Sequence, residues 1–498
     1  MNLASYLERH AQRQPDRDAL RFEGSSVTFA ELDRDAGRLA AALHRRGIAP
    51  GDRVALYLPN QPHFLVAYYA VQKLGAVAVS VNPMFKQDEV RYLLEDSAAT
   101  AVLAPAGLTG HVPAACPGLR LRIVVDDGPA GPDWLALGRL YAEGAAGFTP
   151  IERAADDPAA LLYSSGTTGQ PKGVVLTQRN IHSNIALSAC CSDLRPGDRV
   201  AAFLPLFHAY GQNYLMNGTM LAGATLVLFP RYSPETVLAA IGAERVTHLF
   251  AVPAIFIALL ASDLSPYDLS SLRYEMSAAA TLPEEISRRW FDRFGRRIYE
   301  GYGLTECAPF ACYNDFHQHR FGSVGRPLPG VEARVVDETG AELPPGAIGE
   351  IVLRGDNVMA GYWNRPDDTA RALRDGWLHT GDIGRIDEHG YLYLCDRLKD
   401  MINVSGFKVW PAEIEAGLYR LDGVREVAVY GRPDPDKGEC VVAAVVAKEG
   451  AALTSEAVIA YCRDHMAAYK VPSRVDILDA LPRSATGKLL KRVLREQA

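Results

Sequence analysis

The chain has 498 residues, which allows roughly two to four domains and a large core without staples. Hydrophobic residues make up 48% and charged residues 22%, values that exclude the disordered and fibrous classes. The 52 Lys and Arg set against 59 Asp and Glu leave a net charge of −7, which argues against a dedicated nucleic-acid binder, since that would show a basic face.

Eight cysteines are present. Cys190 and Cys191 are adjacent, and Cys307 and Cys312 are four residues apart in the gap between them; neither spacing matches the two-residue gap of common zinc or redox pairs. They read as reduced, mostly buried thiols of a cytosolic protein. The segment from Met1 to His10 carries Glu8 and Arg9 and lacks the apolar core of a signal peptide. The longest apolar run, Leu249 to Ala261, contains Pro253 and falls short of the roughly 18 residues of a spanning helix. A cytoplasmic protein without a transmembrane segment is expected.

In chain order, Thr28 with Glu31 forms a capping box, which satisfies free amides at a helix start. That helix runs through Leu32, Leu39 and Leu43, meets cations at His44, Arg45 and Arg46 in its last turn, and stops at Gly47. Val54 to Leu58 reads as a buried strand, His63 to Leu74 as a helix closed by Gly75, and Val77 to Val81 as a second strand. The signature returns at Thr225 to Phe229 and His248 to Val252. Strands alternating with helices predict parallel sheets covered on both faces. From about Val331 to Leu394, short strands such as Ala333 to Val336, Glu350 to Leu353 and Tyr391 to Leu394 alternate with Gly and Pro turns, predicting a small antiparallel unit of distorted-barrel type. After Arg397 a compact tail of domain size follows, with helices at Ala412 to Leu421 and Ser455 to Met466 and strands at Val427 to Tyr430, Val441 to Ala447 and Val475 to Leu478. The fold class is thus α/β: two parallel-type α/β subdomains and a small barrel in a large domain of residues 1–398, then a small α+β domain of residues 399–498.

The strongest local signal runs from Leu162 to Gly173. An apolar strand end enters a loop of small hydroxyl residues and glycines. Gly166 and Gly169 allow close backbone approach to a ligand. Amides and the hydroxyls of Ser164, Ser165, Thr167 and Thr168 can turn toward an anion, and Lys172 adds a charge. It is not a Walker A loop, because two residues separate the glycines and Gln170-Pro171 precede the lysine. The bland reading, a solvated turn, is common for a short Ser/Thr/Gly stretch; the full string after a strand outweighs it.

This string resembles the signature loop of the adenylate-forming superfamily, which includes acyl-CoA synthetases, beetle luciferases and peptide-synthetase adenylation domains. The resemblance covers essentially the whole chain. Pro205 to Gly211 is similar to the second family motif, which implies that His208 forms a wall between acyl pocket and thiol tunnel. Tyr299 to Glu306 is similar to the nucleotide motif: by resemblance Glu300, Gly301, Tyr302 and Gly303 form the adenine site with Tyr302 stacked on the base, Thr305 bonds the α-phosphate, and Glu306 binds Mg²⁺. Ala278 and Ala279 match the stretch against the other adenine face. Asp382 and Arg397 match the ribose ligands, and Lys399 falls on the hinge. Ser405, Gly406 and Phe407 match the loop that admits pantetheine, although Lys408 and Trp410 depart from an amide residue and a tyrosine common there. Lys488 matches the catalytic lysine that bridges carboxylate and α-phosphate.

The resemblance implies an ATP- and Mg²⁺-dependent acid–CoA ligase: acid and ATP give acyl-AMP and pyrophosphate, and CoA then displaces AMP. Rotation of the small domain about its hinge would exchange Lys488 for the Gly406 loop. The segment expected to line the acyl pocket (Phe207, Ala209, Tyr210, Tyr214, Leu215, Cys307, Ala308 and Phe310) is uncharged, which points to a medium- or long-chain fatty acid, with an aryl acid such as cinnamate second. A non-CoA acceptor, as in carrier-protein or luciferase-like enzymes, is the further alternative. The partners expected are small molecules, no nucleic acid, with a homodimer left open.

Overall fold

The computed structural model describes residues 2–128, 131–144, 147–164, 170–435, 437–484, 487 and 489–497, without the side chains of Lys399 and Gln497. Ser165, Gly166, Thr167, Thr168, Gly169 and Lys488 therefore lie outside the described residues, as does the hinge side chain of Lys399.

Among the described residues the chain forms four sheets. The first runs Gly361–Tyr362, Lys172–Thr177, Pro158–Ser164, Val77–Ser80, Arg53–Leu56, Ala101–Ala104, Leu121–Val124, Trp134–Ala136. From Pro158–Ser164 onward each neighbour is parallel. The second runs Arg326–Pro327, Phe310–Tyr313, Ile298–Gly303, Tyr274–Ser277, His248–Ala251, Arg199–Ala202, Thr225–Leu228, Asp18–Phe22, Ser25–Thr28. Its middle is parallel, and both ends are closed by antiparallel pairs. The central strands are buried throughout and mostly apolar, as strands covered on both faces must be. The expected strands fall where the sequence puts them. The Asp18–Phe22 and Ser25–Thr28 hairpin was not anticipated; its strands carry polar residues without a regular alternation and lie at the sheet edge.

The helix Phe29–Arg45 starts as expected. The Glu31 amide donates to Thr28 Oγ1 at 3.2 Å, and the Thr28 amide donates to the Glu31 carboxylate at 2.9 Å. The apolar run at Leu249 divides into strand His248–Ala251 and helix Pro253–Ala261, with the proline at the first helical position, where a missing N–H is harmless. Among the described residues no helix is long and apolar enough to cross a membrane.

Val331–Val336, Gly349–Gly355, Trp377–Ile386 and Leu392–Arg397 form the expected antiparallel unit, with the short Leu373–Arg374 at its edge. From Ile402 the chain builds a separate sheet around the long pair Val424–Asp434 and Gly438–Ala447. The sequence reading had the helices and three strands of this tail. It lacked the hairpin Ile402–Val404/Phe407–Val409 and the final helix Lys491–Gln497.

One buried amide ties the two large sheets together. Asn60 follows the first sheet's Arg53–Leu56 strand, and its Nδ2 donates to the carbonyls of Leu204 (3.1 Å) and Phe229 (3.2 Å) beyond strands of the second. Its Oδ1 accepts from the Leu206 amide at 2.9 Å. Asn60→Leu would strand three buried backbone groups. The expected loss is about 2–4 kcal/mol, read as a lower denaturation midpoint in urea; an unchanged midpoint would show that the two sheets are held by apolar packing alone.

Candidate active site

Strand Ile298–Gly303 carries the residues of the nucleotide motif. Gly303 is required where the chain leaves it, because a Cβ there would lie 1.9 Å from the Pro309 carbonyl oxygen. The buried Tyr302 donates its hydroxyl to Asp382 Oδ2 at 2.8 Å. Asp382 stands opposite Arg397 in the register of the antiparallel unit, and Arg397 Nε is 3.1 Å from Asp382 Oδ1. Three residues widely separated in sequence thus meet at one edge.

A second cluster forms beside them. Glu306 follows in the short turn Thr305–Cys307. Its Oε1 accepts from the Tyr362 hydroxyl at 2.9 Å and from Ser164 Oγ at 3.3 Å. Ser164 is the last described residue before the glycine-rich loop, and Lys172 starts the strand that leaves it. Lys172 Nζ pairs with Asp368 at 2.7 Å and lies 5.4 Å from the centre of the Tyr362 ring. Tyr362 and Asp368 were not found by sequence reasoning. The available signal was Gly361-Tyr362 followed by Pro366-Asp367-Asp368, a proline and two acids opening a helix. Among the described residues no group of three or more His, Cys, Asp or Glu could hold a metal by itself. One carboxylate, Glu306, suits Mg²⁺, which takes one or two protein carboxylates and fills its shell with substrate phosphates and water.

Glu300 is buried, and its Oε1 has no hydrogen-bond partner. Burial, helped by the nearby Glu284 carboxylate, holds the Glu300 carboxyl well above the usual range. Its register partner Ser277 also has a buried, unpartnered hydroxyl. Ala278 is buried next to it, and Ala279 takes a left-handed backbone (φ 71°).

A small cavity opens past Ala279, lined by Pro205, His208, Tyr210 and Val252, with about 210 Å³ of empty space. Behind it the segment Tyr210–Asn217 is wound as a π-helix, with every residue buried. Tyr214 stands behind Tyr210, and Phe310 packs edge-on against both at 4.9 and 5.3 Å between ring centres. Of the expected acyl-pocket residues, Tyr210 reaches the cavity wall. Ala209 and Leu215 are buried and Phe207 half-buried, and the Cys307 thiol is held in its own turn by the carbonyls of Leu304 (3.3 Å) and Pro309 (3.0 Å).

The tail approaches this cavity at one point. A Cβ on Gly487 would lie 2.9 Å from Val252 Cγ2, so the residue before Lys488 rests on the cavity wall. Ser405, Gly406 and Phe407 are elsewhere, on an exposed hairpin turn. The Gly406 amide donates to Asn403 Oδ1 (2.9 Å), Phe407 stacks on Tyr469 (4.6 Å), and Lys408 pairs with Glu338 (2.9 Å). The structure does not bring these three to His208.

Two large sheets, a small antiparallel unit and a separate tail, with carboxylates, a lysine and a buried tyrosine converging on one cleft, define a nucleotide-dependent enzyme. The chain matches the AMP-binding enzyme family over residues 7–363 and the AMP-binding enzyme C-terminal domain over residues 413–488. It is 38% identical to a feruloyl-CoA synthase of Amycolatopsis sp, covering 99% of each chain, and 35% identical to a long-chain-fatty-acid–CoA ligase of Bacillus subtilis, covering 99% of this chain and 94% of that one. Among solved structures it resembles an anthranilate CoA ligase in complex with anthranoyl-AMP (TM-score 0.92, 29% identity, 100% and 97% covered). It also resembles ATP-bound MatB from Rhodopseudomonas palustris (TM-score 0.89, 34% identity, 100% and 99% covered). The chain belongs to the AMP-binding enzyme family. It is an AMP-forming acid–CoA ligase that uses ATP, Mg²⁺ and CoA.

Tyr302→Phe keeps the ring but removes one of the two groups holding Asp382. A lost bond to a carboxylate is worth about 1–2 kcal/mol, so the KM for ATP should rise roughly 5- to 30-fold in steady-state assays; an unchanged KM would separate the Tyr302–Asp382 bond from nucleotide binding.

Proposed function

We propose that this ligase activates an aryl carboxylic acid, and that the residues gathered at the cleft carry the roles implied by the family. The observation that carries the choice of acid is the closed inner end of the cavity. Tyr210 on the cavity wall packs with Tyr214 and Phe310, whose interlocked rings fill the way inward. A flat ring packs edge-on against such walls, whereas a long chain requires several rings to leave. The feruloyl-CoA synthase relative and the anthranilate ligase structure support this reading. A medium- or long-chain fatty acid is the second reading, supported by the uncharged lining and the Bacillus subtilis relative.

In the first half-reaction a carboxylate oxygen attacks the α-phosphorus of ATP, and pyrophosphate leaves. Two anions must meet, so positive charge is needed where they do. Lys488 lies between the acid and the α-phosphate, Thr305 bonds that phosphate, and Lys172, with Ser164, Ser165, Gly166, Thr167, Thr168 and Gly169, holds the polyphosphate. Glu306 holds Mg²⁺, which when bound neutralises phosphate charge. Tyr302 and Ala278–Ala279 sandwich the adenine, whose polar edge meets the unpartnered Glu300 carboxyl. Asp382 and Arg397 take the ribose. In the second half-reaction the CoA sulfur attacks the acyl carbonyl, AMP leaves and the thiol proton is released. His208 walls the thiol path. Residues 399–498 turn as a unit about Lys399, removing Lys488 and bringing in Ser405, Gly406 and Phe407.

AMP release from ATP across acetate to palmitate, benzoate and cinnamate, with and without CoA, tests the acid. CoA-dependent turnover highest on a ring acid is expected. A maximum at an aliphatic length would favour the fatty-acid reading, and turnover indifferent to CoA would point to another acceptor.

The two half-reactions should separate by mutation. Lys488→Ala is expected to lose adenylation by 100-fold or more, on the order expected for removing one electrostatic contact at a reacting phosphate, while converting supplied acyl-AMP to thioester at near-normal rate. Gly406→Leu should accumulate acyl-AMP instead. Parallel loss of both steps in either variant would remove that residue from its assigned half-reaction.

A further inference from the structure

The chain on both sides of Lys488 is held more firmly than a surface turn requires. The Leu490 amide donates to the Pro482 carbonyl at 2.9 Å, Arg483 and Leu489 face each other in an antiparallel bridge, and the Gly487 amide donates to the Ser484 carbonyl at 2.9 Å. Arg483 then uses both arms of its guanidinium. Its Nη1 donates to the carbonyl of Gly487, the residue directly before Lys488, at 2.9 Å, and its Nη2 pairs with Glu426 on the strand Val424–Asp434. On the far side Lys491 opens the last helix and pairs with Glu415 at 2.9 Å. Glu415 in turn accepts from the Val429 amide of that same strand at 2.7 Å. Each limb is thus tied to one strand through an ion pair, and all four charged side chains are mostly covered.

Resting on the role given above to Lys488 in adenylation, we propose that Arg483 and Lys491 are positioning residues, which fix the backbone on either side of Lys488 so that its ammonium reaches the reacting groups. A lysine carries its charge on a flexible four-carbon stem, so the reach of the ammonium depends on where the backbone is held. Gly487 rests on the cavity wall at Val252, so slack in its anchors would shift Lys488 against the acid. The two anchors differ in what they need. Arg483 must offer a planar fork, because a single ammonium cannot reproduce its two-directional grip on the Gly487 carbonyl and Glu426. Lys491 makes one ion pair, which an arginine can also make. Ion pairs that served only to stabilise the tail would not require Arg483 to bond the carbonyl next to Lys488. Both glutamates belong to residues 399–498, so the anchors travel with the tail when it turns, and the thioester step, from which Lys488 is withdrawn, does not draw on them.

ATP–pyrophosphate exchange reads the first half-reaction, and thioester formation from supplied acyl-AMP and CoA reads the second, with the acid turned over fastest in the series above. Arg483→Lys and Lys491→Met should each lower the exchange kcat by about 10- to 100-fold, the range for a small misplacement of a reacting group. The KM for ATP and the thioester rate should stay at the wild-type level. Lys491→Arg should restore exchange, whereas Arg483→Lys, equally conservative in charge, should not. Wild-type exchange in either variant would overturn the assignment of that residue. A parallel fall of both half-reactions would show that the ion pairs only hold the tail together, and would overturn the proposal while leaving Lys488 its role. Exchange that persists in Lys488→Ala would overturn that role, and the positioning with it.

Discussion

The hydrogen bond from Tyr302 to Asp382 joins the nine-stranded sheet to the antiparallel unit, and much of the site is arranged around it. Asp382 is a buried carboxylate, which is tolerable only with partners. It has a phenol on one oxygen and Arg397 on the other. Each carboxylate oxygen has a second lone pair, so Asp382 can still accept from a diol, and the proposed ribose contact needs no rearrangement of the pair. Because Arg397 is also the last residue of its strand, immediately before the turn Leu398–Asp400, the same pair fixes where the tail departs. The proposed ribose contact and the base of the proposed hinge are thus one interaction.

The phosphate side follows the same logic with the signs reversed. Lys172 is mostly covered, and it is paired with Asp368 rather than left as a lone buried cation. Asp368 in turn is held below the usual carboxylate range, by Lys172 foremost and by Arg371 after it, against the opposing effect of burial. The pair keeps the lysine extended beside the Tyr362 ring and lets the site fold before any polyphosphate arrives. A triphosphate brings more negative charge than Asp368 offers, so it can share the cation without the protein having to reorder it. Tyr362 serves both clusters, with its hydroxyl on Glu306 and its ring face toward Lys172.

What could be read from the sequence follows from locality. The capping box at Thr28–Glu31, the all-apolar strands and the split at Pro253 are decided within a few residues, and each appears where the sequence implies it. The nucleotide motif was read by its resemblance to the family's and not by a local rule, since Gly303 is also needed for the close approach of Pro309. Tyr362 and Asp368 were not, because their importance lies in contacts almost 200 residues away, such as Lys172 to Asp368. The acyl pocket shows the same limit. A run of uncharged residues pointed to a fatty acid first and an aryl acid second; which of those residues meet the cavity is set by the π-helical winding of Tyr210–Asn217, which turns Tyr210 and Tyr214 against Phe310 and buries Leu215, and no local pattern announces that winding.

The tail shows why two motifs so different in position can alternate at one cleft. Its central strands Val424–Asp434 and Gly438–Ala447 present alternate residues to opposite faces. Val427 and Val429 pack with Ile402, Val404 and Val409 of the Gly406 hairpin, whereas Ala428 and Tyr430 pack with Leu481 and Leu494, which flank Lys488 in the chain. The Gly406 hairpin is itself part of this sheet, at its edge, and shares the core on one face, whereas Leu481 and Leu494 pack on the other. With Gly487 against Val252, the hairpin turn at Ser405–Phe407 is exposed and away from the cavity. Polar contacts link the tail to the large domain. Asp396, before the turn, accepts from the amide of Ala412 at the start of the helix after it, and Lys408 reaches Glu338. Burial raises the Asp396 carboxyl, with Lys491 opposing that rise, so the charged form is held by a helix N-terminus and one cation rather than by water. Turning the tail releases these polar contacts and the face of Tyr419 that packs on the large domain's core, while the tail's own apolar cores stay intact, which makes the proposed rotation a change of orientation rather than of fold.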